Sequence, residues 1–413
     1  MGYRTPTCPI ARECGGCEWL AVPYPIQLER KQAQVEGLLG GLARADGAEV
    51  EPICGMDDPQ AFRHKAATPF SPDARGRIRS GFYARGSHKI VRCEACLVED
   101  PRARRVFAEV VRVAERLHIP AYDEDRGIGV LRHAVLRTGY ATDEALLTLV
   151  TNVERLRDEA RVAAELHEAA PELTSIVQNV NTRRTNAILG TACHTLLGPG
   201  HMRDRLLGCT FEVGPTSFYQ TNPAQTEVLY ELAIRAAGLA DGSRVLDAYC
   251  GAGTIGICAA ARAAAAGSEV RVTGVERVAS AVRLARKNAR ANGVGGRCEF
   301  VAADATAWLA GGGARDGRAG GGGDKDAAGH ARPARGAFDV VILDPPRAGS
   351  TPEFLAAVAD AAPGRVVYVS CNPITQARDL EVLRGRGYRL TRVAAVDMFP
   401  HTSHVETVVS LTR

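Results

Sequence analysis

Apolar positions recur along this chain in two rhythms, and the change from one to the other divides it. From Tyr24 to about Leu42, Ile26, Leu28, Val35, Leu38 and Leu39 fall largely on one helical face with charged residues between them, which predicts an amphipathic helix. Arg102 to Leu117 and Val153 to Ala170 repeat that spacing. Leu131 to Tyr140, Ala145 to Val150, Ser175 to Val180 and Asn186 to Leu189 read as strands, so residues 101–200 predict an α+β region with antiparallel pairing. A helix is predicted from Pro223 to about Ala237. Beyond it the apolar residues come in short unbroken runs, at Val245-Leu246, Val270–Glu276, Phe300–Asp304, Phe338–Leu343 and Arg365–Val369. Runs of this kind mark strands buried on both faces of a parallel sheet. The chain closes on Arg392–Met398 and His404–Leu411, a terminal antiparallel hairpin whose alternation sets His404, Glu406 and Val408 on one face.

At 413 residues the chain is too long for one ordinary core, and the patterning divides it into 1–205 and 206–413. The helix at 24–42 is the element of the first region that is free to pack on the second. Residues 311–336 are glycine-rich without periodicity and predict a disordered loop with no chemistry.

The formal net charge of +4 is too small to demand a polyanionic partner, but its distribution changes the picture. Arg63, Lys65, Arg75, Arg77, Arg79, Arg85, Lys89 and Arg92 face only Asp73, a local charge of +7, with Phe70, Phe82 and Tyr83 interleaved. Basic charge neutralises phosphates and aromatic faces stack on unpaired bases, so this segment is the candidate surface for single-stranded or looped RNA. The plainer alternative is a solvated hairpin with rim aromatics. Arg132, Arg137, Arg183 and Arg184 either contact a polyanion or form an exposed rim. Twelve cysteines without a signal peptide argue against a disulfide framework and for a cytosolic protein, and no apolar run reaches membrane-spanning length.

The cysteines carry chemistry in two places. Cys8-x5-Cys14-x2-Cys17 lies among Pro9, Gly15 and Gly16, and Cys93 and Cys96 are the nearest sources of a fourth thiolate; spacing alone fits a tetrahedral zinc site or an iron–sulfur cubane equally. In Ser370-Cys371-Asn372-Pro373 a single cysteine stands at the carboxyl end of an apolar strand, where open α/β sheets bind ligands, although free cysteines more often end as core residues. Asp344-Pro345-Pro346-Arg347 ends the neighbouring run. A glycine turn at Gly251 and Gly253 follows the 244–248 strand, and Glu276 stands 23 residues after Gly253, the spacing at which an acid accepts ribose hydroxyls. Asp304 ends the next strand and suits an adenine amino group.

Phe218-Tyr-Gln-Thr-Asn-Pro223, Asp344-Pro-Pro-Arg-Ala-Gly349, Ser370-Cys-Asn-Pro373 and Asp397-Met-Phe-Pro-His-Thr-Ser-His-Val-Glu406 together resemble the S-adenosylmethionine-dependent RNA (uracil-5-)-methyltransferases. The resemblance implies a Rossmann-like class I methyltransferase domain preceded by a smaller α+β RNA-binding domain with an iron–sulfur site. It implies Cys8, Cys14, Cys17 and Cys96 as 4Fe-4S ligands, Cys96 rather than Cys93 because it follows the Ile-Val pair at the family's last position. Cys371 is then the nucleophile and Glu406 the base, with His404 as rival base. Gln220, Tyr249, Glu276, Asp344, Thr254 and Asp304 correspond to S-adenosylmethionine contacts. Larger relatives place a small basic β-barrel before the cysteines, and Cys8 leaves no room for one. With the four cysteines, that points to the short 23S ribosomal RNA enzymes, acting as monomers. The alternatives are a transfer-RNA T-loop uridine, cytosine-5 methylation, and a non-catalytic RNA-binding or folding factor.

Overall fold

The computed structural model describes residues 5–310 and 335–413, so all but the end of the glycine-rich 311–336 segment lies outside the described residues. The chain forms two compact units that are not contiguous in sequence: 1–24, 57–205 and 211–224 in the first, 25–56, 206–210 and 225–413 in the second. No helix among the described residues is long and apolar enough to cross a membrane.

After the short helix α1 (Ala11–Cys14) comes α2 (Tyr24–Ala45), which belongs almost entirely to the second unit. The first unit then runs β1 (Lys65–Pro72), β2 (Ile78–Tyr83), β3 (Ile90–Arg92), α3 (Arg102–Arg116), β4 (Leu131–Thr138), β5 (Ala145–Thr151), α4 (Glu159–Ala169), β6 (Leu173–Val180) and β7 (Ala192–Leu197). Its seven-stranded sheet has the order β3-β2-β1-β4-β5-β6-β7. The apolar faces of α3 and α4 (Val106, Phe107, Val110, Val162, Leu166) close over Leu131, Leu147, Leu149 and Ile176. β8 (Met202–Leu206) and β9 (Cys209–Val213) make a two-stranded ribbon.

Four sequence expectations for this unit are corrected. β5 and β6 pair in parallel, because α4 carries the chain back across the sheet between them. Asn186–Leu189 is a loop and the strand comes later, at β7. The Asn181 amide donates to the carbonyls of Ala187 (2.7 Å) and Ile188 (3.0 Å), taking the acceptors a ladder would need. The helix expected from Val153 starts only at Glu159, since the Val153 carbonyl is held by the Thr151 hydroxyl (2.9 Å) and the Gln178 amide (3.0 Å). Arg132 and Arg137, expected either on a polyanion or at an exposed rim, are buried, so neither belongs to an exposed rim. Arg132 clasps Glu124 at 2.9 Å and the carbonyls of Asn181 and Arg183 at 2.7 and 2.8 Å.

The second unit continues with α5 (Pro223–Ala237), β10 (Arg244–Ala248), α6 (Thr254–Ala265), β11 (Arg271–Glu276), α7 (Ala279–Ala291), β12 (Cys298–Ala302), α8 (Ala305–Ala310), β13 (Val340–Leu343), α9 (Pro352–Ala361), β14 (Arg365–Ser370), α10 (Pro373–Gly385), β15 (Arg389–Val396) and β16 (Glu406–Thr412). Strand order is β12-β11-β10-β13-β14-β16-β15. The first five strands are parallel, and β16 enters antiparallel between β14 and β15. Every residue of β13, and all but the first of β14, is buried, as the unbroken apolar runs require.

Helix α2 joins this core through Val35, Leu39 and Ala43, packed with Trp308, Phe354 and Leu383. It also carries buried polar side chains to the turn ahead of β16. Lys31 Nζ meets Asp397 Oδ1 at 2.5 Å and the Phe399 carbonyl at 3.1 Å. Gln27 Oε1 accepts the His401 amide at 2.8 Å. Removing one partner of a buried ion pair leaves the other charge uncompensated. Lys31→Met is therefore expected to cost about 3–5 kcal/mol in urea unfolding, with Asp397→Asn restoring part of the loss; a cost under about 1 kcal/mol would show that the pair does not hold this turn.

Candidate active site

Two loops at the carboxyl ends of adjacent parallel strands are tied to each other. β14 ends in Ser370-Cys371-Asn372. The Asn372 side chain caps α10 by accepting from Ile374 N (3.2 Å), with Pro373 at the helix start, and its Nδ2 donates to the Arg347 carbonyl at 3.1 Å. The Ser370 hydroxyl accepts from Asn372 N at 3.1 Å. Behind them, Asp379 accepts from the Tyr368 hydroxyl (2.6 Å) and Ser350 N (2.7 Å), anchoring α10 to β14 and to the loop after β13. The loop that carries Cys371 is thereby fixed, and Cys371 and Asp344 are both half-buried at one sheet edge.

The register of β14 on β16 brings in the third group. Ser370 and Thr407 form the last pair of the ladder, and Cys371 and Glu406 are the next residues on the two strands, close enough for Glu406 to act on the thiol. Thr407 is pinned in turn, its hydroxyl bonding Gln376 Oε1 at 2.7 Å and the Ser370 carbonyl at 3.2 Å. Glu406 is 4% exposed. Burial first, then the Asp344 charge, push its carboxyl well above the usual range, while Arg347 opposes. Burial raises Asp344 to about 7. The Cys371 thiol is pushed up to about 11 by burial and then by Glu406 and Asp344, with Arg347 again opposing. Arg347 is thus the cation of this cluster, with Nη2 3.3 Å from His404 Nδ1. Sequence reasoning quoted it in its motif without giving it a role. The signal was present, since it is the single basic residue in Asp-Pro-Pro-Arg-Ala-Gly and Cys371 stands beside two acids.

At the other end of the same sheet edge lies a cradle. Tyr249 takes φ +62° and Gly253 φ +78° in the turn after β10, and a Cβ on Gly253 would stand 2.7 Å from the Phe300 ring, so only glycine fits there. Buried Asp247 accepts from Gly256 N at 3.0 Å and holds α6 against the turn. Glu276 ends β11, accepting from Gly251 N (3.3 Å) and Val278 N (2.8 Å); a carboxylate has capacity left for two hydroxyls beyond these. Thr254 opens α6 and shares a 2.9 Å bond with the Tyr230 hydroxyl. Asp304 is exposed and caps α8 through Ala307 N at 3.0 Å. Gln220 lies in the first unit, half-buried on the loop after β9.

In the first unit Cys8, Cys14, Cys17, Cys93 and Cys96 all line one cavity, together with Phe82. No three acidic, histidine or cysteine side chains among the described residues converge closely enough for a single metal ion. A cubane asks for less convergence, because each thiolate binds a different iron. The backbone amides of Val98 and Glu99 donate to Cys96, and Arg104 eases the charge of Cys14, Cys93 and Cys96. Arg104 is 7% exposed, lies over the Phe82 ring at 4.2 Å, is paired with Glu99 at 2.7 Å, and has an Nη1 without a hydrogen-bond partner. These donors fit an anionic cluster.

The expected RNA-stacking aromatics are a different matter. Phe70 is buried, Phe82 faces the cysteine cavity and half-buried Tyr83 packs against His88 and His133, so the hairpin presents outward chiefly the cations Arg75, Arg77, Arg79, Arg85, Lys89 and Arg92.

Five parallel strands with an antiparallel hairpin in this order, a glycine turn and strand-end acids define a class I S-adenosylmethionine-dependent methyltransferase fold. A family profile described as "tRNA (Uracil-5-)-methyltransferase" matches residues 329–413, and one described as "Methyltransferase domain" matches 239–314. Over 98% of its length the chain is 38% identical to an "uncharacterized RNA methyltransferase" of Halalkalibacterium halodurans, covering 82% of that relative. A Staphylococcus aureus protein of the same description is 37% identical, with 83% of it covered. Among solved structures, the tRNA (uracil-54, C5)-methyltransferase of Pyrococcus abyssi with S-adenosyl-L-homocysteine superposes with a TM-score of 0.74 at 29% identity, over 96% of this chain and 86% of that one. The chain belongs to the RNA (uracil-5-)-methyltransferase family.

Because the Cys371 thiol titrates far above neutrality, its thiolate fraction gains about tenfold per pH unit up to that point. Iodoacetamide labelling of Cys371, followed by peptide mass spectrometry, is expected to accelerate by that factor between pH 7 and 10, and to be slower at each pH in Arg347→Met. A rate independent of pH would contradict the raised thiol.

Proposed function

We propose that this enzyme methylates carbon 5 of a uridine in RNA through a covalent adduct to Cys371, and the observation that carries the proposal is the register that brings Cys371 close to Glu406 beside Arg347. Carbon 5 of uracil is too weak a nucleophile to attack a methyl sulfonium unaided. Addition of the Cys371 thiolate to carbon 6 makes an enolate whose carbon 5 is reactive. S-adenosylmethionine supplies the electrophilic methyl group. After transfer, carbon 5 still holds its proton; Glu406 removes it, the double bond re-forms and the thiolate leaves. A carboxylate with a raised pKa is a stronger base than a solvated one, and burial of Glu406 serves that step. Arg347 offsets the two acids and favours the thiolate.

Glu276 receives the ribose hydroxyls of the cofactor, with Tyr249, Thr254, Asp304, Asp344 and Gln220 as its further contacts. Cys8, Cys14, Cys17 and Cys96 hold a 4Fe-4S cluster, which supplies a rigid cross-link between the segment before α2 and the one after β3. A uridine inside a stack is out of reach, so the target is flipped from a loop while exposed cations hold the flanking backbone.

We take the RNA to be a 23S ribosomal RNA loop and the enzyme to act as a monomer; the cysteine quartet supports the ribosomal reading. The second reading is a transfer-RNA T-loop uridine, favoured by the likeness to the Pyrococcus abyssi enzyme. Mass mapping of 5-methyluridine in a strain lacking the gene is expected to show one 23S uridine unmethylated, restored by wild type and not by Cys371→Ala. Loss in the T-loop instead would move the substrate; no loss in either would sink the enzyme assignment. Glu406→Gln is expected to accumulate a methylated covalent protein–RNA species while product release falls at least about 100-fold, and a variant that turns over normally would remove Glu406 from the base role.

A further inference from the structure

Among the described residues, two cations of the first unit, Lys65 and Arg137, have no carboxylate opposing them, and a third beside them, Arg63, interacts with Glu99 and Cys17 only beyond ion-pair distance. Lys65 and Arg137 are direct partners in the β1–β4 register, so both side chains leave the same face of the sheet, and Arg63, two residues before Lys65, is close enough to repel it. Arg137 is 3% exposed. Its Nη2 donates to the Ser217 carbonyl at 2.5 Å, and its Nε has no hydrogen-bond partner. The other buried or half-buried arginines nearby are paired: Arg104 with Glu99, Arg102 with Asp100, Arg132 with Glu124. Among the described residues no carboxylate stands within ion-pair distance of Arg63, Lys65 or Arg137. Burial, followed by repulsion from Arg137 and Arg63, pushes Lys65 down to about 8, and no acid opposes it.

Burying like charges side by side is costly to a fold unless a ligand brings the opposite charge. A phosphodiester suits what is there, since one non-bridging oxygen can take the free guanidinium N–H and the other the ammonium. The loop that covers Arg137 continues into Phe218, which is 72% exposed, an aromatic face where a base adjoining the phosphate can stack.

We propose that Lys65 and Arg137, with Arg63 beside them, seat one backbone phosphate of the RNA substrate. The proposal rests on the RNA reading above and adds a built site to the diffuse cationic surface of the hairpin.

The test is titration of a fluorescent uridine-loop RNA hairpin against the full-length protein at several salt concentrations, with S-adenosylhomocysteine binding and Tm measured in parallel. Lys65→Met is expected to weaken hairpin binding about 5- to 20-fold and to reduce the slope of log Kd against log salt by nearly one unit. S-adenosylhomocysteine affinity stays unchanged, and Tm holds or rises because an uncompensated charge has gone. Arg137→Lys keeps the charge and loses the fork, so affinity falls with the slope intact. Hairpin binding unchanged in Lys65→Met overturns the seat alone if wild type still methylates RNA. Weaker S-adenosylhomocysteine binding with the RNA slope intact assigns the anion to the cofactor's carboxylate and overturns it too. A Tm several degrees lower in Lys65→Met makes the lysine structural and also overturns it. A wild type that binds no RNA overturns the RNA reading and the seat together.

Discussion

The antiparallel pairing of β14 with β16 is the contact on which the candidate site depends. A parallel strand in that position would carry its carboxyl end to the same edge as Cys371. An antiparallel one brings its amino end there, and with it Glu406 and the turn that precedes it. The six pairs of the ladder, the Thr407 bonds to Gln376 and Ser370, and the Asp379 anchor bring thiol and carboxyl close to each other without any loop having to order around substrate. Helix α2 secures the same turn from behind through Lys31 and Gln27, which is why a helix far from β16 in sequence belongs to its compact unit.

That arrangement puts two acids beside a thiol in a poorly solvated pocket, where burial raises all three, Asp344 adds to the rise of Glu406, and both acids add to that of the thiol. The outcome is a thiol held mostly protonated at neutrality and a carboxyl of enhanced basicity, with Arg347 the group that moderates both. Uracil activation needs the thiolate only transiently and the base only after methyl transfer, so a site that favours neither charge at rest is compatible with both steps.

Much of the second unit was legible because its strands are unbroken apolar runs stopped by glycine, proline or an acid, and such punctuation survives without any tertiary information. Glu276 at the end of β11 and Cys371 at the end of β14 stand where those runs end. What escaped was whatever depends on a partner distant in sequence. Lys31 is an ordinary helix lysine until Asp397, 366 residues on, is seen beside it. Arg132 looks like a surface cation until Glu124 and the Asn181 carbonyl enclose it. Phe70 and Phe82 alternate with basic residues, but the pleat turns one into the core and the other toward the cysteine cavity. Asn179 and Asn181 displaced β7 by spending their amides on backbone carbonyls, a local competition that propensity does not register.

The central claim is a covalent bond from Cys371 to carbon 6 of uracil, and 5-fluorouridine RNA tests it most directly. Fluorine in place of the carbon 5 hydrogen leaves no proton for Glu406 to remove, so the account predicts a denaturation-stable protein–RNA complex that forms only with S-adenosylmethionine and maps by peptide mass spectrometry to Cys371. A complex mapped to another residue, or none from an enzyme that methylates the unfluorinated RNA, would contradict it.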